Sequence, residues 1–278
     1  ADCTLVFLHG WPDSMFSFSR VRSAIRCSSP TRLLSFDLVG FGESEKPKFE
    51  EGKPSPYTLE AQAEVIAACL QQLVKQDSSV DVVAHSMGTG VSLSLAIAHP
   101  SLVRSLVLIG PANSFSTADS MLAPVEGIKA IADDPSLEIS EEFMREFQCG
   151  TLVDKDFERP GYHEFVETII AESMKATKDS FRGAVYGMME DAFLSRVAEV
   201  QCKRTMLIVG AEDQIFPPDE HTHALAARLR NCFISIISEA GHSPNWDKPE
   251  LVAQSLVHHL SALKAGGSLH QPSPAHAL

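Results

Sequence analysis

The chain has 278 residues, of which 44% are hydrophobic and 21% charged. That is the make-up of a globular protein with a substantial core, and it excludes a disordered or fibrous chain. The net charge of −13 repels phosphate backbones and anionic lipid surfaces, which argues against nucleic acid as a partner. No run approaches the ~20 apolar residues of a membrane-crossing helix, so no membrane span is expected.

Short runs rich in Val, Ile and Leu recur along the chain: Thr4 to Leu8, Arg32 to Phe36, Val80 to Ala84, Arg104 to Ile109, Thr205 to Val209 and Phe233 to Ile237. Their length and continuous apolar character predict buried parallel strands. Between them, Leu59 to Val74, Met87 to Ala98, His221 to Leu229 and Leu251 to Leu263 carry apolar residues at three- and four-residue spacing. Strand and helix therefore alternate, which predicts an α/β protein with a mainly parallel sheet flanked by helices.

From about Asn113 to Val200 the strand pattern stops. Helical patterns follow one another instead, at Glu141 to Phe147, Tyr162 to Met174 and Phe181 to Leu194. Five of the eight methionines and seven of the fifteen phenylalanines lie in this stretch, a composition that suits either an ordinary helical core or the lining of an apolar pocket. The expected organisation is a core domain over residues 1–112 and 201–264, an inserted helical unit over 113–200, and a disordered tail over 265–278. The six cysteines form no C-x-x-C pair and read as free thiols. With no signal peptide visible in Ala1 to Gly10, a cytoplasmic location is expected.

The chemistry is concentrated at strand ends. Val80 to Ala84 runs into His85-Ser86-Met87-Gly88 and then a helix, which puts Ser86 in a tight strand-to-helix turn. Small residues, Ala84 and Gly88, flank it two positions away, as the sterics of a nucleophile elbow require. Serine caps many helices, so this alone is weak evidence. A serine hydroxyl also needs a base to take its proton and a carboxylate to orient that base. Asp213 follows one later strand, with Glu212 as the competing carboxylate, and His242 follows the next. Both would stand at the carboxyl edge of the sheet, where open α/β sheets build their sites.

Taken with His9-Gly10-Trp11-Pro12, Asp37-Leu38-Val39-Gly40-Phe41-Gly42, His99-Pro100 and Gly241-His242-Ser243-Pro244, this ordered series of blocks resembles the α/β-hydrolase fold family over nearly the whole chain. The resemblance implies Ser86 as nucleophile, His242 as general base and Asp213 as orienting carboxylate. It also implies backbone N–H groups of Trp11 and Met87 as the oxyanion hole, and the inserted unit as a cap over the pocket. Trp11, Met87 and Phe216 are the expected substrate-lining residues. Ala84 departs from the family's usual glycine. The first block begins at residue 9, so two strands that precede it in the family are absent or removed. The family strand order would then leave Arg32 to Phe36 as an exposed edge, a route to a homo-oligomer.

Other patterns lead nowhere. Gly88-Thr89-Gly90 lacks the third glycine of a dinucleotide fingerprint, Leu93 standing in its place. His221 with His223, and His258 with His259, do not share a helix face as metal ligands would. No cofactor and no metal are expected. The activity expected is hydrolysis of a carboxylic ester or lactone, a small-molecule acyl compound, through an acyl-enzyme on Ser86. A serine nucleophile argues against epoxide hydrolases and haloalkane dehalogenases. Carbon–carbon bond hydrolysis on the same fold, or a slow-turnover ligand receptor, are the alternatives.

Overall fold

The computed structural model describes residues 3–27, 30–50, 52–75, 78–111, 129–134, 136, 138–190 and 193–264. The expected tail at 265–278 and the start of the inserted unit, 113–128, lie outside the described residues.

Six parallel strands form one sheet: β1 (Cys3–Leu8), β2 (Thr31–Phe36), β3 (Val80–His85), β4 (Val103–Ile109), β5 (Arg204–Gly210) and β6 (Cys232–Ile237), in the order β2-β1-β3-β4-β5-β6. Each contains one of the six apolar runs. β2 stands at one edge, where the family order puts it. The chain turns outward from β1 to β2 and then crosses to β3 on the other side of β1. The order therefore reverses between β1 and β3, and a crevice opens beyond their carboxyl ends.

Side chains alternate between the two faces of the sheet. Val6, Leu8, Val82, Ala84, Leu106, Leu108 and Leu207 face one core, which also takes in the buried sides of α2 (Leu59–Leu73) and α3 (Met87–Ala98). Leu5, Phe7, Val83, Val107, Ile109, Met206 and Ile208 face the other, covered by α1 (Ser19–Ala24) and by Val252, Leu256 and Leu260, which lie on a helix spanning Pro249–Lys264. The start of α2 is fixed by Thr58, whose hydroxyl accepts from the Ala61 N–H.

Between β4 and β5 the described residues contain helices and no strand. They form α4 (Glu141–Gly150), α5 (Tyr162–Ser173), α6 (Lys178–Glu190) and the short α7 (Phe193–Arg196). α6 starts three residues earlier than the apolar spacing predicts. Thr177 is the reason: its Oγ1 accepts from the Ser180 N–H at 3.1 Å, while Ser180 Oγ accepts from the Thr177 N–H at 2.9 Å. The chain closes with α8 (Pro218–Ala226), α9 (Pro244–Asp247) and α10 (Pro249–Lys264). Among the described residues no helix is long and apolar enough to cross a membrane.

A polar cluster lies buried among the apolar strands. The Asp81 carboxylate on β3 accepts from the Arg104 guanidinium, from Ser105 Oγ at 2.7 Å and from Cys3 Sγ at 3.2 Å. Ser105 in turn meets His259 Nε2 of α10 at 3.1 Å. The six cysteines are unpaired. Burial, reinforced by Asp81, pushes the Cys3 thiol up to about 11.

Candidate active site

The strand-to-helix turn after β3 holds Ser86 at φ 48° and ψ −120°, a left-handed conformation that a non-glycine residue adopts only when its surroundings enforce it. Two glycines allow the enforcement. A Cβ on Gly88 would lie 2.5 Å from the His9 carbonyl oxygen and 2.6 Å from that of Leu8. A Cβ on Gly10 would lie 3.0 Å from Ser86 Cβ. The loop after β1 therefore lies directly against the turn after β3.

His9 fixes that loop. Its Nδ1–H donates to the Gly10 carbonyl at 2.7 Å, and its Nε2 accepts from the Leu38 N–H at 2.9 Å. Burial lowers its pKa below the usual histidine value, in keeping with a neutral ring that both donates and accepts. The backbone N–H groups of Trp11 and Met87 have no hydrogen-bond partner among the described residues. As first residue of α3, Met87 has an N–H that the helix cannot satisfy.

Three residues far apart in the chain meet here. Ser86 Oγ lies 3.0 Å from His242 Nε2, and His242 Nδ1 lies 2.9 Å from Asp213 Oδ2. All three are buried. The other carboxylate oxygen of Asp213 accepts from the N–H groups of Ile215 and Phe216, both at 2.9 Å. Burial works to raise the Asp213 pKa, but the His242 ring and these hydrogen bonds outweigh it and hold the carboxyl below its ordinary value. Glu212, the competing carboxylate, is exposed to solvent.

The loop carrying His242 is tied down on several sides. Its N–H donates to the Thr151 carbonyl at 3.2 Å, and its carbonyl accepts from His85 Nε2 at 3.1 Å. Asp247 accepts from Gly241 N–H at 2.8 Å and also from the N–H groups of Val153 and Asp154. Sequence reasoning missed Asp247. A carboxylate five residues after the histidine is the only hint the chain offers, and two of its three partners lie about ninety residues away.

A cavity of about 340 Å³ opens over Ser86 and His242. Of the expected lining residues, Trp11 and Phe216 stand at its wall. The Trp11 ring packs against Phe147 and Phe181, and its Nε1–H donates to the Phe181 carbonyl at 3.2 Å. The Phe216 ring meets the His242 ring edge-on at 5.3 Å. Met87 is a correction. Its side chain has no exposed surface, belongs to the core cluster and does not line the cavity. What Met87 can offer a ligand is its N–H. Ile131, Phe147, Val185, Met188 and Met189 supply the apolar wall from the segment between β4 and β5. A larger, open groove of about 1160 Å³ lies between α1, α5 and α10, away from Ser86.

Asp37 is turn architecture. Its two oxygens accept from the N–H groups of Met15 and Glu43, and a Cβ at Gly42 would collide with its carboxylate. Among the described residues no three His, Cys, Asp or Glu side chains cluster as metal ligands.

Comparison with known proteins agrees with this fold. The family described as alpha/beta hydrolase fold matches residues 4–133. A protein named probable lysophospholipase BODYGUARD 4, from Arabidopsis thaliana, is 36% identical over 107 residues, covering 38% of this chain and 24% of that protein. A 2-hydroxymuconate semialdehyde hydrolase from Pseudomonas sp. (strain CF600) is 26% identical over 255 residues, 90% of this chain and 83% of its own. Among solved structures, a thermophilic esterase from Thermogutta terrifontis superposes with a TM-score of 0.77 at 23% identity, over 94% of this chain and 90% of that one. With its sheet order, its strained Ser86 turn and these likenesses, the chain has the α/β-hydrolase fold.

Proposed function

We propose that the protein is a serine hydrolase that cleaves a carboxylic ester or lactone through an acyl-enzyme on Ser86. The observation that carries this reading is the unbroken line from Ser86 Oγ through the His242 ring to Asp213, with links of 3.0 and 2.9 Å. His242 Nε2 takes the hydroxyl proton as Ser86 Oγ bonds to the acyl carbon. The carbonyl oxygen becomes an oxyanion, held by the free N–H groups of Trp11 and Met87 at the positive end of α3. His242 then gives its proton to the departing alkoxide. A water molecule, deprotonated by the same nitrogen, attacks the acyl-enzyme and releases the acid. Asp213 holds Nδ1–H throughout and stabilises the imidazolium.

The segment between β4 and β5 acts as a cap in this reading, since it supplies most of the cavity's apolar wall. The test is hydrolysis of short-chain p-nitrophenyl esters, together with labelling by a fluorophosphonate. Wild type should turn over the esters and take the label. Ser86→Ala should lose the label and at least ~10³-fold in kcat. Equal rates in the two proteins would end the assignment.

A second reading is carbon–carbon bond hydrolysis by the same serine. It is favoured by the likeness to the 2-hydroxymuconate semialdehyde hydrolase, which spans 90% of the chain. Turnover of a vinylogous diketone without turnover of esters would select it.

A further inference from the structure

We propose that the cavity beside Ser86 contains a polar corner, formed by Asp13, His85 and Gln148, that selects substrates with a hydroxyl or protonated amine close to the scissile carbonyl. This deepens the serine-hydrolase reading and rests on it.

The corner is centred on a carboxylate. Asp13 is only 2% exposed. Its Oδ1 accepts from Gln148 Nε2 at 2.6 Å, and the same nitrogen donates to Ser173 Oγ at 3.0 Å. Both amide hydrogens of Gln148 are thereby used, leaving Oε1 as its remaining polar atom. A backbone carbonyl can only accept, so the contact between His85 Nε2 and the His242 carbonyl places a proton on Nε2. His85 Nδ1 is buried without a hydrogen-bond partner. It lies 3.7 Å from Asp13 Oδ2, too far for a hydrogen bond. Asp13 Oδ2 has no hydrogen bond among the described residues.

Asp13, His85 and Gln148 all line the cavity, and its described lining contains no lysine or arginine. Two of its other side-chain donors are committed elsewhere: Trp11 Nε1–H to the Phe181 carbonyl and Thr151 Oγ1–H to the Gln148 carbonyl. A carboxylate oxygen that faces a cavity without a hydrogen bond calls for a donor, and an incoming O–H or N–H⁺ meets that need. The corner also adjoins the reacting serine. One point, the Cβ position of Gly10, lies 2.8 Å from His85 Nδ1 and 3.0 Å from Ser86 Cβ. A substrate donor two or three bonds from the acyl carbon falls within its reach.

The experiment compares p-nitrophenyl 3-hydroxybutanoate and 3-aminobutanoate with the apolar isostere 3-methylbutanoate. Wild type should favour at least one polar ester by about 10- to 100-fold in kcat/KM, the range of a hydrogen bond to a charged acceptor. A preference for the amine identifies an ammonium site, and a preference for the alcohol alone identifies a hydroxyl site. Asp13→Asn, which replaces acceptor Oδ2 with a donor, should bring the ratio near one. Gln148→Met should reduce it, and serves as the second variant if the first fails to fold. Equal kcat/KM for all three esters in wild type, or a preference that neither variant changes, overturns the inference and leaves serine hydrolysis standing. Absence of Ser86-dependent turnover of every ester overturns both.

Discussion

The ring of His85, the residue just before Ser86, donates its Nε2–H to the backbone carbonyl of His242 at 3.1 Å. The strand end that presents Ser86 therefore also grips the main chain of His242. Replacing His85 with Phe keeps a ring but strands a buried carbonyl, a loss of about 1–3 kcal/mol of stability. It also loosens the Ser86 to His242 distance. His85→Phe should lower kcat about tenfold on a plain butanoate ester with a smaller change in KM, and lower the urea midpoint. His85→Gln, which restores a donor, should recover part of both. A His85→Phe protein with unchanged kcat would show that the contact positions nothing.

Asp213 receives two backbone N–H groups on one oxygen and the His242 ring on the other. Asp213→Asn keeps an oxygen for the backbone donors and turns an NH₂ group toward Nδ1. The ring must then carry its proton on Nε2 and can no longer accept one from Ser86. A loss of about 10³- to 10⁴-fold in kcat is expected, with fluorophosphonate labelling slowed in parallel. Glu212→Gln, at an exposed position, should change kcat less than twofold. A large loss from Glu212→Gln and a small one from Asp213→Asn would reassign the carboxylate.

The strands, and the places of Ser86, Asp213 and His242 beyond strand ends, were legible because each rests on local chemistry. Six apolar runs end in turn residues, and Ser86, Asp213 and His242 follow three of those runs directly. The polar interior was not legible for the opposite reason. Asp81, Arg104 and Ser105 sit inside or beside apolar runs and find one another only across the sheet. Asp13 and Gln148 are 135 residues apart, and no period or motif connects them. Met87 was misread because its position beside Ser86 says where its amide lies but not where its side chain turns.

Gly88 supplies a steric prediction. The atoms that a Cβ there would meet are the backbone carbonyl oxygens of Leu8 and His9, at 2.6 and 2.5 Å, and a strand end cannot yield as a flexible side chain would. Gly88→Ala should cost about 1–3 kcal/mol of stability, the usual range for overpacking. It should also move the Met87 N–H away from the oxyanion position, so that kcat falls at least tenfold. Unfolding curves and ester kinetics on one preparation measure both, and wild-type values for each would mean that β1 and α3 are not in contact.

His259 supplies a pH prediction. It is fully buried on α10 with Nε2 at 3.1 Å from Ser105 Oγ. Burial, reinforced by Arg204, lowers its pKa to about 4 from the ordinary 6.5, against a smaller opposing pull from Asp81. Between these two values the unfolded chain binds a proton that the folded chain refuses, so stability falls as pH drops from 6.5 towards 4 and levels off below. The full loss is about 3 kcal/mol. His259→Gln keeps a donor near Ser105 and removes the titration. His9, also lowered by burial, adds a slope of the same sign to both proteins and cancels in their difference. Between pH 7 and pH 5 wild type should therefore lose ~2 kcal/mol more unfolding free energy than His259→Gln. Parallel curves for the two proteins would mean that protons reach His259 in the folded state as freely as in the unfolded chain.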